Sequence, residues 1–469
     1  MRKNKKRSSR SALTRRQLMK HGLSASVMAG LGPSLSVSGC SRGAGKKPSI
    51  ILIIVDTLRP DHLNCYGYFR DTSPNINDFA RNSLQFEHCY SHAPATSGSC
   101  ASILSGFLQH ETKLLFNGYP LIREVETLPE ILQRHGYTTA AVVGNYILRR
   151  RMGWSQGFSI YDDTMDDKEL VRRVPEKTAE NMTDRAIELL QQFQHDPLFM
   201  WIHYQDPHGP YTPPSHLANL FWNPDEQTPR ELKINGNESG IGGIPNYQKL
   251  QNSSDFHYYV SQYDSEIRHL DEQFKRLVET LKQTGLYDNA LIMFTSDHGE
   301  GMGERNYYFA HGENLYNCLL HVPLVIRHGR EFDGKRTDYV QHLDIVPTVL
   351  EFAGIKSDKR FRGRDLRTEP VGKREILSAS ENLVSLTYDG FKLIRDNDGD
   401  QNQLFDLTAD PEERHDLANH PDYSEKVKEL MLKTNGVLAD DRLNLNVVVR
   451  PPKLVEEEMR KLKSLGYTQ

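Results

Sequence analysis

Three stretches of this chain place side chains able to hold a cation, or to attack an ester, directly behind or ahead of apolar runs. Ser49-Ile50-Ile51-Leu52-Ile53-Ile54-Val55 runs into Asp56-Thr57-Leu58-Arg59-Pro60-Asp61-His62. A carboxylate at the tip of an apolar strand is costly unless it binds a cation or caps a helix; taken alone, Asp56 reads as a cap. Ala290-Leu291-Ile292-Met293-Phe294 runs into Thr295-Ser296-Asp297-His298-Gly299-Glu300-Gly301. Here two strong ligands are adjacent, and the glycines after them let the backbone approach closely. A parallel sheet would bring both strand ends to one edge, where Asp56, Asp297 and His298 would converge on a single ion. Asp with His suits Zn²⁺ or Mn²⁺, while carboxylates with hydroxyl or carbonyl oxygens also suit Ca²⁺ or Mg²⁺.

The third stretch is Ala93-Pro94-Ala95-Thr96-Ser97-Gly98-Ser99-Cys100-Ala101-Ser102-Ile103-Leu104-Ser105-Gly106, small hydroxyl residues leading into a helix. A helix N-terminus offers free N–H groups and a positive dipole end to an anionic ester. A hydroxyl there is an ordinary cap on its own, and a nucleophile once a metal lowers its pKa. Two histidines complete the set: His208 in Asp206-Pro207-His208-Gly209-Pro210-Tyr211, and His311 in His311-Gly312-Glu313-Asn314. Either would contact a non-bridging oxygen of the ester or protonate its leaving group.

The elements that must position these groups are legible as short apolar runs. Besides the two above, they are Thr138 to Val143, Leu198 to His203 and Pro323 to Ile326. None alternates cleanly, the pattern of parallel strands covered by helices on both faces. Helical spacing joins Ala186, Leu189, Leu190 and Phe193. It joins Tyr263, Ile267, Leu270, Phe274, Leu277, Val278 and Leu281 as well, stopping at Gly285. The alternation predicts a doubly wound, mostly parallel α/β sheet flanked by helices, with ligands bound beyond the carboxyl ends of its strands. Residues 215–256 are polar, Asn-, Gly- and Pro-rich, and read as an insertion or lid. From about residue 366 short strands and a charged helical tail predict a smaller C-terminal α+β domain over 366–469.

Residues 1–40 read as an address rather than as fold. Nine Lys and Arg fall in the first 20 residues with no acidic residue. Thr14-Arg15-Arg16-Gln17-Leu18-Met19-Lys20 resembles a twin-arginine export signal. Val37-Ser38-Gly39-Cys40 resembles a lipoprotein cleavage box, with Cys40 acylated and 41–47 as a tether. The expected location is the periplasm or cell envelope, anchored at a membrane, with the export machinery as a partner. The chain carries 58 Lys+Arg and 62 Asp+Glu; without residues 1–39 the balance is 49 against 62, or −13. Such a surface argues against nucleic acid as a partner. Cys65, Cys89, Cys100 and Cys318 show no metal-finger spacing and no disulfide framework.

Together these segments resemble the sulfatase family of the alkaline phosphatase superfamily. The similarity spans Val55 to Leu63, Thr96 to Gly106, Asp206-Pro207-His208, Thr295 to Glu300 and Val322 to Arg327. Leu404-Phe405-Asp406-Leu407 with Asp410-Pro411-Glu412-Glu413 extends it to about residue 420. The resemblance implies a domain over 48–365. It implies one divalent cation, commonly Ca²⁺, held by Asp56, Asp297 and His298 with the Thr96 hydroxyl, and His208 and His311 beside the transferred group. The sequence also departs from the family. Thr96 stands where a Cys or Ser is matured to formylglycine, Gly98 replaces the motif proline, and Cys100 replaces its arginine. Thr57 replaces a second metal-binding Asp, and His311 a frequent Lys. A threonine nucleophile resembles the phosphodiesterase and phosphoethanolamine-transferase branches. The expected activity is metal-dependent hydrolysis of sulfate or phosphate esters of a small molecule or glycan. The alternatives are a phosphoryl-group transferase at the membrane and a non-catalytic binder of sulfated glycans.

Overall fold

A computed structural model describes residues 47–449 other than 115, 116, 166, 169–173, 224, 226, 227, 251, 252, 330, 369–371, 397–400 and 448. The twin-arginine segment, the Cys40 box and most of the tether (41–46) lie outside the described residues. Among the described residues no helix is long and apolar enough to cross a membrane.

β1 (Ile50–Val55) is buried along its whole length, and its side chains alternate between two cores. Ile50, Leu52 and Ile54 pack with the helices Thr96–Ser105, Leu128–Arg134 and Ile345–Phe352. Ile51, Ile53 and Val55 pack with Pro74–Ala80, Ala179–Gln192 and Phe256–Gln283. A strand covered on both faces has no solvated side, so it carries no polar alternation. The remaining strands are β2 (Leu84–Tyr90), β3 (Thr138–Val143), β4 (Ile160–Asp162), the two-residue pair β5 (Asp167–Lys168) and β6 (Pro175–Glu176), β7 (Leu198–Tyr204), β8 (Leu291–Ser296), β9 (His321–Arg327) and β10 (Gly334–Gln341). Eight of them form one sheet in the order β10-β2-β9-β8-β1-β7-β3-β4. β1 lies parallel between β7 and β8, with Val55 opposite Tyr204 on one side and Ser296 on the other.

The expected doubly wound, mostly parallel sheet is therefore present, with one correction. The Pro323 run belongs to β9, which is antiparallel to both β8 and β2. Apolar composition records burial, not direction, so both orientations look alike in sequence. β2 and β10 escaped the sequence reading because each mixes polar residues with apolar ones, as β10 does in Gly334-Lys335-Arg336-Thr337-Asp338-Tyr339-Val340-Gln341.

The C-terminal part is an antiparallel meander, β11 (Ile376–Ala379), β12 (Leu383–Tyr388), β13 (Phe391–Asp396) and β14 (Asn402–Asp406), covered by the helix Ser424–Ala439. It is sewn to the end of β2: Ala379 N donates to His92 O, and Ser378 Oγ donates to Ser91 O at 2.6 Å. Buried Asp344 accepts both guanidinium nitrogens of Arg374 at 2.8 Å, together with the amides of Gln341 and Arg364. The described residues of 215–255 hold one short 3-10 helix, Asn246–Gln248, with turns and isolated β-bridges such as Ile234 to Ile244.

Candidate active site

β1 and β8 are neighbours in register, so the residues that follow them emerge side by side. Asp56, Asp297 and His298 are all fully buried there. His298 Nδ1 donates to Gly299 O at 2.9 Å, which leaves the lone pair of Nε2 turned into the site. That nitrogen is 3.7 Å from Asp56 Oδ1, 3.6 Å from Asp297 Oδ2 and 3.3 Å from Thr96 Oγ1. Thr96 opens its helix, as the sequence predicted. Gly98 lets that helix close on Gln109, whose Nε2 would lie 1.9 Å from an added Cβ.

The electrostatics suit a cation. Asp56 Oδ2 accepts from Asn145 Nδ2 at 2.6 Å, and Asp297 Oδ1 accepts from the amides of His298 (2.8 Å) and Thr57 (3.3 Å). Asp56 Oδ1 and Asp297 Oδ2 have no hydrogen-bond partner, although both are buried. Orphaned buried carboxylate oxygens are rare, because each carries its full desolvation cost. Burial and then the Asp297 charge hold the Asp56 carboxyl well above its ordinary range. Burial also raises Asp297, but His298 and His203 beside it outweigh that and hold it below the carboxylate range. Burial pushes the His298 imidazole down to about 4, leaving it in the neutral form that binds metals. These three side chains meet the spacing required of a common ion, so the residues fit a divalent cation. Thr57, where the family pattern has a second metal-binding Asp, sits at φ +56° with its buried hydroxyl unpartnered.

His208 and His311 are brought to the same place. Their rings are 5.1 Å apart, and the His311 ring lies 4.5 Å from that of His298. His208 Nδ1 donates to Gly209 O at 2.8 Å, and Tyr247 of the 215–256 segment stacks on its ring at 6.4 Å. Tyr247 Oη and Gln248 Nε2 both donate to Phe309 O, tying the segment to the loop that carries His311. The structure adds residues the sequence reading left without a role. Fully buried Glu300 accepts from His311 Nδ1 at 3.1 Å and from Tyr211 Oη at 3.0 Å, fixing which His311 nitrogen faces the site. Asn145, just beyond β3, orients Asp56. His203, near the end of β7, lies 3.6 Å from Asp297. Position near the carboxyl end of a strand was the one signal in the sequence that could have found Asn145 and His203. The cysteines Cys65, Cys89, Cys100 and Cys318 are free thiols.

The Sulfatase family model matches residues 48–355. The chain is 25% identical to an N-acetylglucosamine-6-O-sulfatase of Bacteroides thetaiotaomicron, covering 85% of this chain and 88% of that one. It is 26% identical to a choline-sulfatase of Rhizobium meliloti, covering 80% and 83%. Among solved structures, a protein in complex with its substrate D-glucosamine-2-N,6-O-disulfate superposes with a TM-score of 0.71 at 20% identity, covering 85% of this chain and 99% of that one. A phosphonate monoester hydrolase from Silicibacter pomeroyi superposes with a TM-score of 0.69 at 20% identity, covering 85% and 97%. With the fold, the strand-end residues and this match in agreement, the chain belongs to the sulfatase family and is an ester hydrolase of that kind.

Proposed function

We propose that this protein is an exported, divalent-metal-dependent hydrolase of sulfate or phosphate-type esters, with Thr96 as the nucleophile in place of formylglycine. The observation that carries this reading is the Thr96 hydroxyl 3.3 Å from His298 Nε2, at a helix N-terminus and beside two unpartnered carboxylate oxygens. Asp56, Asp297, His298 and the Thr96 hydroxyl would hold the cation, with Ca²⁺ favoured by family and Mn²⁺, Mg²⁺ or Zn²⁺ allowed by the donor set. When bound, such an ion would neutralise the buried carboxylates, lower the pKa of a bound hydroxyl and polarise an S–O or P–O bond.

The remaining chemistry belongs to the side chains. The helix N-terminus orients the anionic group toward Thr96. Thr96 Oγ1 would release its proton to solvent and bond to sulfur or phosphorus as the ester oxygen leaves from the opposite side. In the doubly protonated form, His311, held through Nδ1 by Glu300, would present Nε2–H to protonate that leaving oxygen, and His208, likewise protonated on both nitrogens, would donate Nε2–H to a non-bridging oxygen. The resulting threonine ester cannot collapse by elimination as a formylglycine hydrate does, so water must displace Thr96 and restore it. That route is familiar for phosphoryl enzymes, which keeps phosphate-type esters beside sulfate esters among the substrates. The substrate of the glucosamine disulfate complex favours a sulfated sugar as one class. The phosphonate monoester hydrolase favours phosphonate and phosphate esters as the other. Residues 215–256 would roof the site over His208. Residues 1–40 would direct export, and an acylated Cys40 would anchor the enzyme without spanning the bilayer.

The test is steady-state hydrolysis of matched aryl sulfate, phosphate monoester, phosphodiester and phosphonate substrates, with and without chelator, beside Thr96→Ala. Metal-dependent turnover should vanish in Thr96→Ala, and the preferred substrate identifies the ester. Turnover that persists in chelator or in Thr96→Ala sinks the mechanism. Product formed only with an added acceptor would make the protein a transferase. Binding of sulfated glycan without turnover would make it a lectin-like relic.

A further inference from the structure

Beside the proposed cation site lies a second group of ionisable side chains, two of which, Cys100 and His203, the chemistry above does not use. Cys100 stands one helical turn after Thr96, so both project from the same face of the helix Thr96–Ser105. Facing Cys100 are His203, near the end of β7, and Asp297, just beyond β8. The thiol, an imidazole nitrogen and a carboxylate oxygen of these three residues lie within 4.8 Å of one another, and all three residues are fully buried.

His203 is the informative member. Neither of its ring nitrogens has a hydrogen-bond partner, although the side chain is wholly enclosed. Its Nε2 is 3.6 Å from Asp297 Oδ2, too long for a hydrogen bond, and that oxygen is unpartnered too. An imidazole with both nitrogens unsatisfied in the interior is expensive, and it is expected only where something fills the gap. The spacing suits an ion: two ligands each about 2.1 Å from a tetrahedral metal stand about 3.4 Å apart.

We infer that Cys100, His203 and Asp297 form a second metal site, for a thiophilic divalent cation of the zinc class, with Asp297 shared between the two sites. Thiolate, imidazole and carboxylate together select Zn²⁺-like ions, whereas Ca²⁺ and Mg²⁺ take oxygen ligands. Binding displaces the Cys100 thiol proton to solvent and forms the metal–sulfur bond. Three protein ligands leave a fourth position open, as catalytic zinc sites do. The site rests on the proposed first one, because Asp297 serves both.

Cobalt provides a test that needs no turnover. The full-length protein, stripped with chelator and titrated with Co²⁺, should bind two ions per chain. A thiolate-to-cobalt charge-transfer band should rise in the near ultraviolet. Cys100→Ala should lose the band and one of the two ions, and His203→Asn should weaken the same band. The wild-type spectrum decides the matter even if either variant fails to fold. One ion per chain with no charge-transfer band overturns this site and leaves the first standing. No bound ion at all overturns both.

Discussion

Gly299 offers a sharp test of whether backbone closeness, rather than ligand identity alone, holds His298 in place. A Cβ built on Gly299 would lie 2.0 Å from the carbonyl oxygen of Cys318, against the 3.0 Å below which real Cβ contacts essentially never fall. The obstacle is backbone, and Gly299 N is itself fixed to Leu319 O at 2.8 Å. Gly299→Ala therefore requires the Gly299 or Cys318 backbone to retreat by about 1 Å, and His298 is the adjacent residue. A misplacement of about 1 Å near reacting groups costs about 100-fold in rate, or about 2.7 kcal/mol. Overpacking adds a loss of folding stability of about 1–3 kcal/mol. Gly98→Ala is the control. There the added methyl meets the end of the Gln109 side chain at 1.9 Å, with Ala93 Cβ at 3.0 Å, and a side-chain amide can swing aside. Measured kcat/KM and metal affinity should fall much further in Gly299→Ala than in Gly98→Ala, with both folded by circular dichroism. Equal activity in Gly299→Ala and wild type, at unchanged metal affinity, would refute the claim that this contact sets the ligand.

Two further outcomes can be read without a substrate. Asp271 accepts from the amides of Asn75 and Ile76 and from Asn75 Nδ2, yet burial pushes its carboxyl up to about 6. Because that value lies above the unfolded value of about 3.9, the stability it contributes is present below pH ~4 and is lost as pH rises through about 6. Asp271→Asn should thus gain on wild type by up to about 3 kcal/mol in urea unfolding between those pH values; a parallel pH profile for the two would contradict it. Arg374→Ala should cost about 3–5 kcal/mol, since it leaves the buried Asp344 carboxylate without its guanidinium, and a loss under 1 kcal/mol in the same assay would show the pair to be dispensable.

The parts of this molecule that were legible in sequence are those where one local rule decides. Asp56 follows an all-apolar run and Asp297, with His298 beside it, stands just beyond another, and it is the pair of strand ends together that points to a ligand. Thr96 opens a helix whose start is marked by a run of small hydroxyl residues. Burial on both faces of β1 was visible because its apolar run does not alternate. What stayed hidden depends on chain segments far apart. The direction of β9 is set by its neighbours β2 and β8, not by its own residues. The pairing of Glu300 with His311 joins two loop residues whose side chains meet only after the loop folds. His203 lay inside an apolar run, where hydropathy reads it as interior filling and says nothing of its unsatisfied nitrogens.

The position of β1 at the centre of the sheet also governs how the chain can be made. Val55 O accepts from Ser296 Oγ, 241 positions later, and β7 is likewise distant in sequence. At synthesis rates of about 5–20 residues per second, Ile-Ile-Leu-Ile-Ile-Val would wait roughly 12–48 s after emerging before β8 exists to pair with it. Until β7 is made partway through that interval, the most aggregation-prone kind of segment, short, uncharged and β-branched, has neither neighbour. The cation site closes at the same moment, because Asp56 meets Asp297 and His298 only once β8 is in place. Any ion taken up there would thus arrive late in the life of the chain, marking those copies in which the central strand has found both of its partners.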